Sequence, residues 1–308
     1  MDRRRWWWVA VLAVLAVALL AAGCGDDDDE GDAGAGGDTA ADTSGTAAAP
    51  EFPAGSTMAR IQEAGVIKVG TKYDQPLFGL KNPTNDEIEG FDVEIAKLIA
   101  EGIFGAGNAE GKVQFTETPS KVREARIQQG AVDMVVATYT INDERKQQVA
   151  FAGPYYVAGQ DIMVRADDDS ITGVQDLNGK KVCSAQGSTS IDNIREQAPQ
   201  ADLGITFDVY SLCAEALADG RVDAVSTDNV ILLGLIDAAD PDTFKLVGNP
   251  FTEEPYGIGV KKGDTAFRNF INDRLEEIEA DGRWAEAFES TVGTVEEETP
   301  EPPPVDRY

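Results

Sequence analysis

The chain has 308 residues and no histidine. That absence excludes Ser-His-Asp and Cys-His nucleophile systems, the commonest zinc ligand, and the usual acid-base group near neutral pH. Carboxylate or lysine chemistry stays open. Basic residues are few: 26 Lys and Arg stand against 55 Asp and Glu, a formal charge of −29 at pH 7. A surface of that sign repels nucleic acid, which needs a basic stripe. It says little about a small ligand, whose site can be locally positive. No internal repeat stands out, and neither a metal nor a cofactor is expected. Cysteine is confined to Cys24, Cys183 and Cys213.

The ends of the chain suggest where it works. Arg3-Arg4-Arg5 precedes an apolar run from Trp6 to Ala22, and Leu20-Ala21-Ala22-Gly23 leads to Cys24. This resembles a bacterial lipoprotein signal, residues 1–23, cut before a cysteine whose thiol is acylated as an anchor on the extracytoplasmic face of the cell membrane. An uncleaved transmembrane anchor is the alternative, because 17 apolar residues lie at the lower limit for a span. Residues 24–56 are expected to form a disordered acidic linker. From Gly25 to Ser56 there are nine acidic residues, no basic ones and one large apolar residue, Phe52, too little surface to bury. Residues 294–308, with Glu296-Glu297-Glu298 and four prolines, are read as a disordered acidic tail.

Between Thr57 and Thr294 lie 238 residues, enough for one large domain or two lobes. If Cys24 is acylated, Cys183 and Cys213 remain as a pair in an oxidising setting. A disulfide is then expected, with two buried free thiols as the alternative.

The folded part alternates strands and helices. Gly65–Gly70, Val113–Glu117 and Val132–Ala137 read as strands, with helices near Ile88–Ala100 and Arg123–Gln129, a βαβαβ half with a parallel sheet. A second unit follows Asp161: strands at Ile162–Arg165, Lys181–Ala185, Ile205–Tyr210 and Val222–Ser226, with helices after Ser190 and over Cys213–Asp219. Tyr256–Val260 and helices near Phe267–Glu279 and Trp284–Phe288 complete the chain. Two α/β lobes joined by two crossings is the economical arrangement: residues 57–160 and 255–293 as lobe 1, and 161–254 as lobe 2. Ligands in such sheets sit beyond the carboxyl ends of strands.

One such end carries the strongest chemical signal. In ATYTINDERKQQVAFAGPYY, residues 137–156, Asn142 is a good N-cap, which places Arg145 in the first turn of a helix. A cation there opposes the helix dipole by about 0.3–1 kcal/mol, whereas an anion docked on it gains from dipole and guanidinium together. Arg145 therefore suits a carboxylate or phosphate. A solvated surface arginine is the alternative.

Four stretches in this order resemble the substrate-binding proteins of polar amino acid ABC importers. They are Gly90-Phe91-Asp92-Val93-Glu94-Ile95-Ala96; Val132-Asp133 through Arg145 to Pro154-Tyr155-Tyr156; Gln186-Gly187-Ser188-Thr189; and Gly220-Arg221-Val222-Asp223-Ala224 leading to Asp228. Val69 to Pro76 and the Cys183, Cys213 pair are similar to actinobacterial glutamate-binding lipoproteins within solute-binding protein family three. The resemblance implies the two-lobed type II periplasmic-binding-protein fold, each lobe a mostly parallel sheet flanked by helices, and a monomer that delivers L-glutamate or L-aspartate to permease subunits. It implies that Arg145, Thr140, Ser188 and Thr189 hold the ligand α-carboxylate, and that Asp228 and Thr138 hold the α-ammonium. Lys72, Arg123 and Tyr210 would meet the side chain, with Tyr73 and Phe78 as walls. Glutamine is the alternative ligand, and a dehydratase-like enzyme or an orphan sensor the alternative role. Asp92 and Glu94 are read as complements of a helix dipole.

Overall fold

The computed structural model describes residues 49–296 and 298–308. The leader, Cys24 and the tether as far as residue 48 lie outside the described residues. In chain order the elements are α1 (Thr57–Ala64), β1 (Ile67–Thr71), β2 (Asp74–Gln75), β3 (Gly79–Lys81), β4 (Ile88–Glu89), α2 (Phe91–Phe104), β5 (Val113–Glu117), α3 (Arg123–Gln128), β6 (Met134–Val135), α4 (Asp143–Lys146), β7 (Ala150–Ala158) and β8 (Gln160–Arg165). There follow β9 (Val182–Cys183), α5 (Thr189–Gln197), α6 (Tyr210–Ala218), β10 (Ala224–Asp228), α7 (Asn229–Asp237), β11 (Phe244–Leu246), β12 (Glu254–Val260), α8 (Thr265–Ala280) and α9 (Arg283–Glu289).

Lobe 1 is built on a sheet in the order β5-β1-β6-β12-β7, and lobe 2 on one in the order β11-β8-β10-β9. Both sheets are mixed rather than mostly parallel. β1 runs parallel to β5 and β6, and β10 parallel to β9. The strands at the crossings run the other way: β12 is antiparallel to β6 and β7, and β8 to β10 and β11. The two crossings are themselves paired, Ala158 with Glu254 and Tyr156 with Tyr256, so the lobes share a two-stranded hinge.

β7 was not legible as one strand because Gly153-Pro154 interrupts it. β7 is an edge strand, and Pro154 falls where the register with β12 shifts, so the missing N–H breaks no ladder. The expected strand Ile205–Tyr210 is likewise replaced. Phe207 makes a single bridge to Ala185, and Tyr210 begins α6.

α2 shows why the core sits where it does. Phe91, Ile95, Ile99 and Ile103, four residues apart, are all fully buried, one apolar stripe of a 3.6-residue helix. Phe91 meets Phe78, Trp284 and Phe288 edge-on, and Phe78 meets Tyr156 and Tyr256. Phe78, expected as a pocket wall, is therefore core. Lobe 2 is stapled by the Cys183–Cys213 disulfide, Cα atoms 5.5 Å apart, which ties β9 to α6.

The C-terminal segment corrects the expectation of disorder. Val305 packs against the lobe 1 core, and the Asp306 amide donates to Gly153 O at 2.9 Å. The Phe151 amide donates to the Tyr308 hydroxyl at 2.8 Å, and Lys146 and Arg268 lie 4.1 and 4.8 Å from the Tyr308 ring centroid. The segment thus covers the open edge of β7. Its anchors are an aromatic ring, an arginine and backbone groups, which acidic and proline-rich composition conceals.

Candidate ligand-binding site

The segments beyond the carboxyl ends of β5 and β6, the end of β10 and the amino ends of α5 and α6 converge on one cavity. Ser120, Arg123, Thr138 and Thr140 line it from lobe 1, and Ser188, Thr189, Ser190, Tyr210, Thr227, Asp228 and Ile231 from lobe 2. Its cavity volume is about 10 Å³, roughly what a single water needs. All but Ile231 present polar groups.

Among the described residues, two atoms on this wall are buried without partners. Arg123 Nη1 donates to Ala137 O and Thr138 O at 3.0 and 3.1 Å, and its guanidinium carbon lies 4.1 Å from the Tyr139 ring centroid. Its Nε has no partner. From lobe 2, Asp228 Oδ2 accepts from the Tyr256 hydroxyl at 2.5 Å, while Oδ1 has none. Burial, then the nearby Glu254 carboxylate, pushes the Asp228 pKa up to about 7. Asp228 stands at the N-cap position of α7 but makes no side-chain cap, so its free oxygen is left for the cavity. A buried donor without an acceptor and a buried acceptor without a donor each carry a desolvation penalty. A zwitterion satisfies both.

Thr138 is held in place by residues behind it. Its φ is +43°, unfavourable for a β-branched residue. Asp92 Oδ2 accepts from the Thr138 amide at 2.8 Å, and Oδ1 accepts from Tyr155 at 2.5 Å. Asp92 is fully buried, and burial pushes its pKa up to about 7. It does more than complement the α2 dipole. The Thr138 hydroxyl donates to Gln75 Oε1 at 3.0 Å, so it can only accept from a ligand, as an ammonium partner requires.

Thr189 was expected as a donor to a carboxylate, together with backbone amides near Ser188. The Ser188 hydroxyl already donates to Ala185 O at 2.7 Å and that of Thr189 to Glu254 Oε2 at 2.9 Å. What they offer an anion is the start of α5, whose N-cap makes no side-chain hydrogen bond, so uncapped amides and the helix dipole are directed at the cavity.

Arg145 is buried beside this cavity rather than on its wall, in an adjoining space bordered by the same Ser120, Ser188 and Thr189. Asn142 caps its helix as expected, accepting from the Arg145 amide at 2.8 Å. The guanidinium donates to Thr140 O at 2.7 Å and, across the cleft, to Gly187 O at 3.2 Å, with Glu124 3.6 Å from Nε. Lys72 also stands one layer back: its Nζ donates to Ser120 Oγ at 2.7 Å. Burial, then Arg123, pulls its pKa down to about 7. Tyr210 does line the cavity, its hydroxyl 3.3 Å from Ser190 Oγ. Tyr73, half-buried, does not.

Ser120, Ser190, Thr227 and Ile231 were not singled out as site residues. Ser190 and Thr227 each adjoin one that was, whereas Ser120 and Ile231 carry no local signal.

A profile of the bacterial extracellular solute-binding proteins, family 3, matches residues 67–294. The ABC transporter glutamine-binding protein GlnH of Bacillus subtilis is 45% identical over 237 residues, 77% of this chain and 84% of that one. The glutamate-binding protein GluB of Corynebacterium glutamicum is 42% identical over 249 residues, 77% and 83% of the two chains. Among solved structures, an ancestral arginine-binding protein bound to glutamine matches with a TM-score of 0.68 at 39% identity, covering 74% of this chain and 98% of that one.

Proposed function

This chain belongs to the bacterial extracellular solute-binding proteins, family 3, and we propose that it is a receptor for an acidic amino acid, L-glutamate or L-aspartate, which it delivers to an ABC permease. One observation carries the choice of ligand: among the described residues, no carboxylate forms an ion pair with the buried Lys72 or Arg123. Buried charges in proteins are paired. The missing anion is then the ligand side-chain carboxylate, with Ser120 relaying the contact to Lys72. The α-carboxylate docks at the start of α5 beside Arg145, and the α-ammonium binds Asp228 Oδ1 and Thr138 Oγ1. Capture proceeds by closure of the lobes about the β7–β12 hinge, with ligand favouring the closed form. Acylated Cys24 would hold the receptor at the membrane. Cys24→Ala should release it, and retained membrane association would refute the lipid anchor.

A second reading, glutamine, is favoured by the B. subtilis relative and by a Lys72 whose pKa near 7 lets it stand neutral. Calorimetric titration of ligand-stripped protein with L-glutamate, L-aspartate and L-glutamine decides. Tight binding of an acid alone supports the proposal. Preference for glutamine overturns the side-chain assignment and leaves the receptor role, and turnover of any ligand would move the protein among the enzymes of this fold.

A further inference from the structure

The segment that begins α6 is held from the opposite lobe. Asp74, on β2 of lobe 1, directs its carboxylate at the first turn of this lobe 2 helix. Oδ2 accepts from the Tyr210 amide at 2.9 Å and from the Ser211 amide at 3.4 Å. α6 has no cap of its own: Val209 occupies the N-cap position, and no acidic residue lies in its first turn. A helix start without local cap or counter-charge is satisfied here by a residue 136 positions away. Nearby, Lys121 reaches Asp208 at 2.6 Å, but both side chains are more than two-fifths exposed, and such pairs contribute little in water. Asp74 is the stronger of the two ties. The helix it caps begins with Tyr210, whose side chain lines the cavity.

We propose that Asp74 is a positioning residue for ligand capture, which caps α6 across the cleft only when the lobes are together and so sets how tightly any ligand is held without touching it. The inference rests on the receptor reading above. With the lobes apart, water takes the place of the carboxylate at both amides, so the contact stabilises the closed form alone. A contact present in one state and absent in the other shifts the equilibrium between them, and ligand affinity reports that shift. It discriminates between no two ligands, because it faces the backbone of α6.

The test compares wild type, Asp74→Ala and Asp74→Asn as full-length protein in detergent, titrated with L-glutamate and L-glutamine. Asp74→Ala should weaken every ligand that wild type binds by the same factor, about 2- to 30-fold, the range of a lost N-cap. Ligand-free melting should be unchanged. Asp74→Asn should return to within about threefold of wild type, because an asparagine oxygen caps as well as an aspartate. Affinity left intact by Asp74→Ala would overturn the inference, as would a change in selectivity. So would an Asn variant as weak as the Ala variant, which would make the effect one of charge on Lys72. If wild type binds no amino acid at all, the receptor reading falls, and the inference with it.

Discussion

Gly234 offers a substitution whose effects on stability and on binding should have opposite signs. It lies inside α7, where alanine is favoured over glycine by about 0.5–1 kcal/mol. An added Cβ would stand 2.5 Å from the carbonyl oxygen of Pro76 and 3.1 Å from its carbonyl carbon, across the cleft in lobe 1, where ordinary contact begins at 3.4 Å. The atom it meets is backbone and cannot rotate away. Closure would then stop short by several tenths of an ångström, stretching the Asp74 contact to α6 and loosening the cavity. Overpacking of this kind costs about 1–3 kcal/mol, a 5- to 150-fold rise in Kd. With the lobes apart nothing clashes, so ligand-free Gly234→Ala should melt about 1–4 °C higher than wild type. Calorimetry in the absence and presence of saturating ligand reads both quantities. Wild-type affinity in the variant would mean that α7 and Pro76 do not meet in the bound form. A lower ligand-free melting temperature would mean that they already meet without ligand, and the hinge argument would fail.

Other expectations follow from the same contacts. Arg145→Ala removes the guanidinium proposed beside the ligand α-carboxylate, along with its bond to Gly187 O across the cleft, and should weaken binding at least ~30-fold, equivalent to about 2–5 kcal/mol; near-normal titration would displace Arg145 from the site. Affinity for glutamate should peak near pH 7, because Asp228 must be ionised and Lys72 protonated and both titrate near 7; for glutamine it should rise to a plateau above pH 7 instead, and identical profiles would remove Lys72 from recognition. Reducing the Cys183–Cys213 bond, which closes a separation of 30 residues, should destabilise lobe 2 by about 3–4 kcal/mol, seen as an earlier melting transition; an unchanged transition would show that β9 and α6 hold without it. Deleting residues 298–308 should lower the melting temperature of lobe 1 and speed hydrogen exchange at the Phe151 amide, and unchanged protection there would contradict the covered β7 edge.

What the sequence made legible was local. Asn142 ahead of Arg145, Ser188-Thr189 at the start of α5 and Asp228 at the end of β10 are short-range patterns of cap, strand end and charge, and the structure brings them to one cleft. What it hid was pairing at a distance. Asp74 and Tyr210 are 136 positions apart, Thr189 and Glu254 65, Asp92 and Tyr155 63, and nothing in the periodicity of either partner points to the other. Composition misled at the C-terminus, where order comes from Tyr308 and from Arg307, which pairs with Asp273 and Glu276 on α8, rather than from any apolar run. Phe78 misled for a related reason: an aromatic in a loop near a site suits a wall as well as a core, and only the rings of Phe91, Tyr156 and Tyr256 decide it.

The pairing that matters most is the pairing left undone. Lys72 is pulled down and Asp92 and Asp228 are pushed up by burial, all toward 7. The site therefore holds its charges at a free-energy penalty before any ligand arrives. A site that neutralised them internally would be more stable and would bind nothing, since a ligand carboxylate would then have to displace an internal one. Asp92 is the instructive member. Unlike Asp228 it has both oxygens satisfied, by Thr138 and Tyr155, and it holds the backbone of a wall residue. Lys72, with one hydroxyl partner, and Asp228, with one free oxygen, are the two left open. If the ligand side chain is read through Ser120 as proposed, the Lys72 proton bears on selectivity: a charged lysine behind that hydroxyl favours a carboxylate, and a neutral one does not penalise an amide. Pocket shape discriminates little between ligands that differ only there, so on the proposed reading the charge state of Lys72, felt through Ser120, is what would separate an acid from its amide.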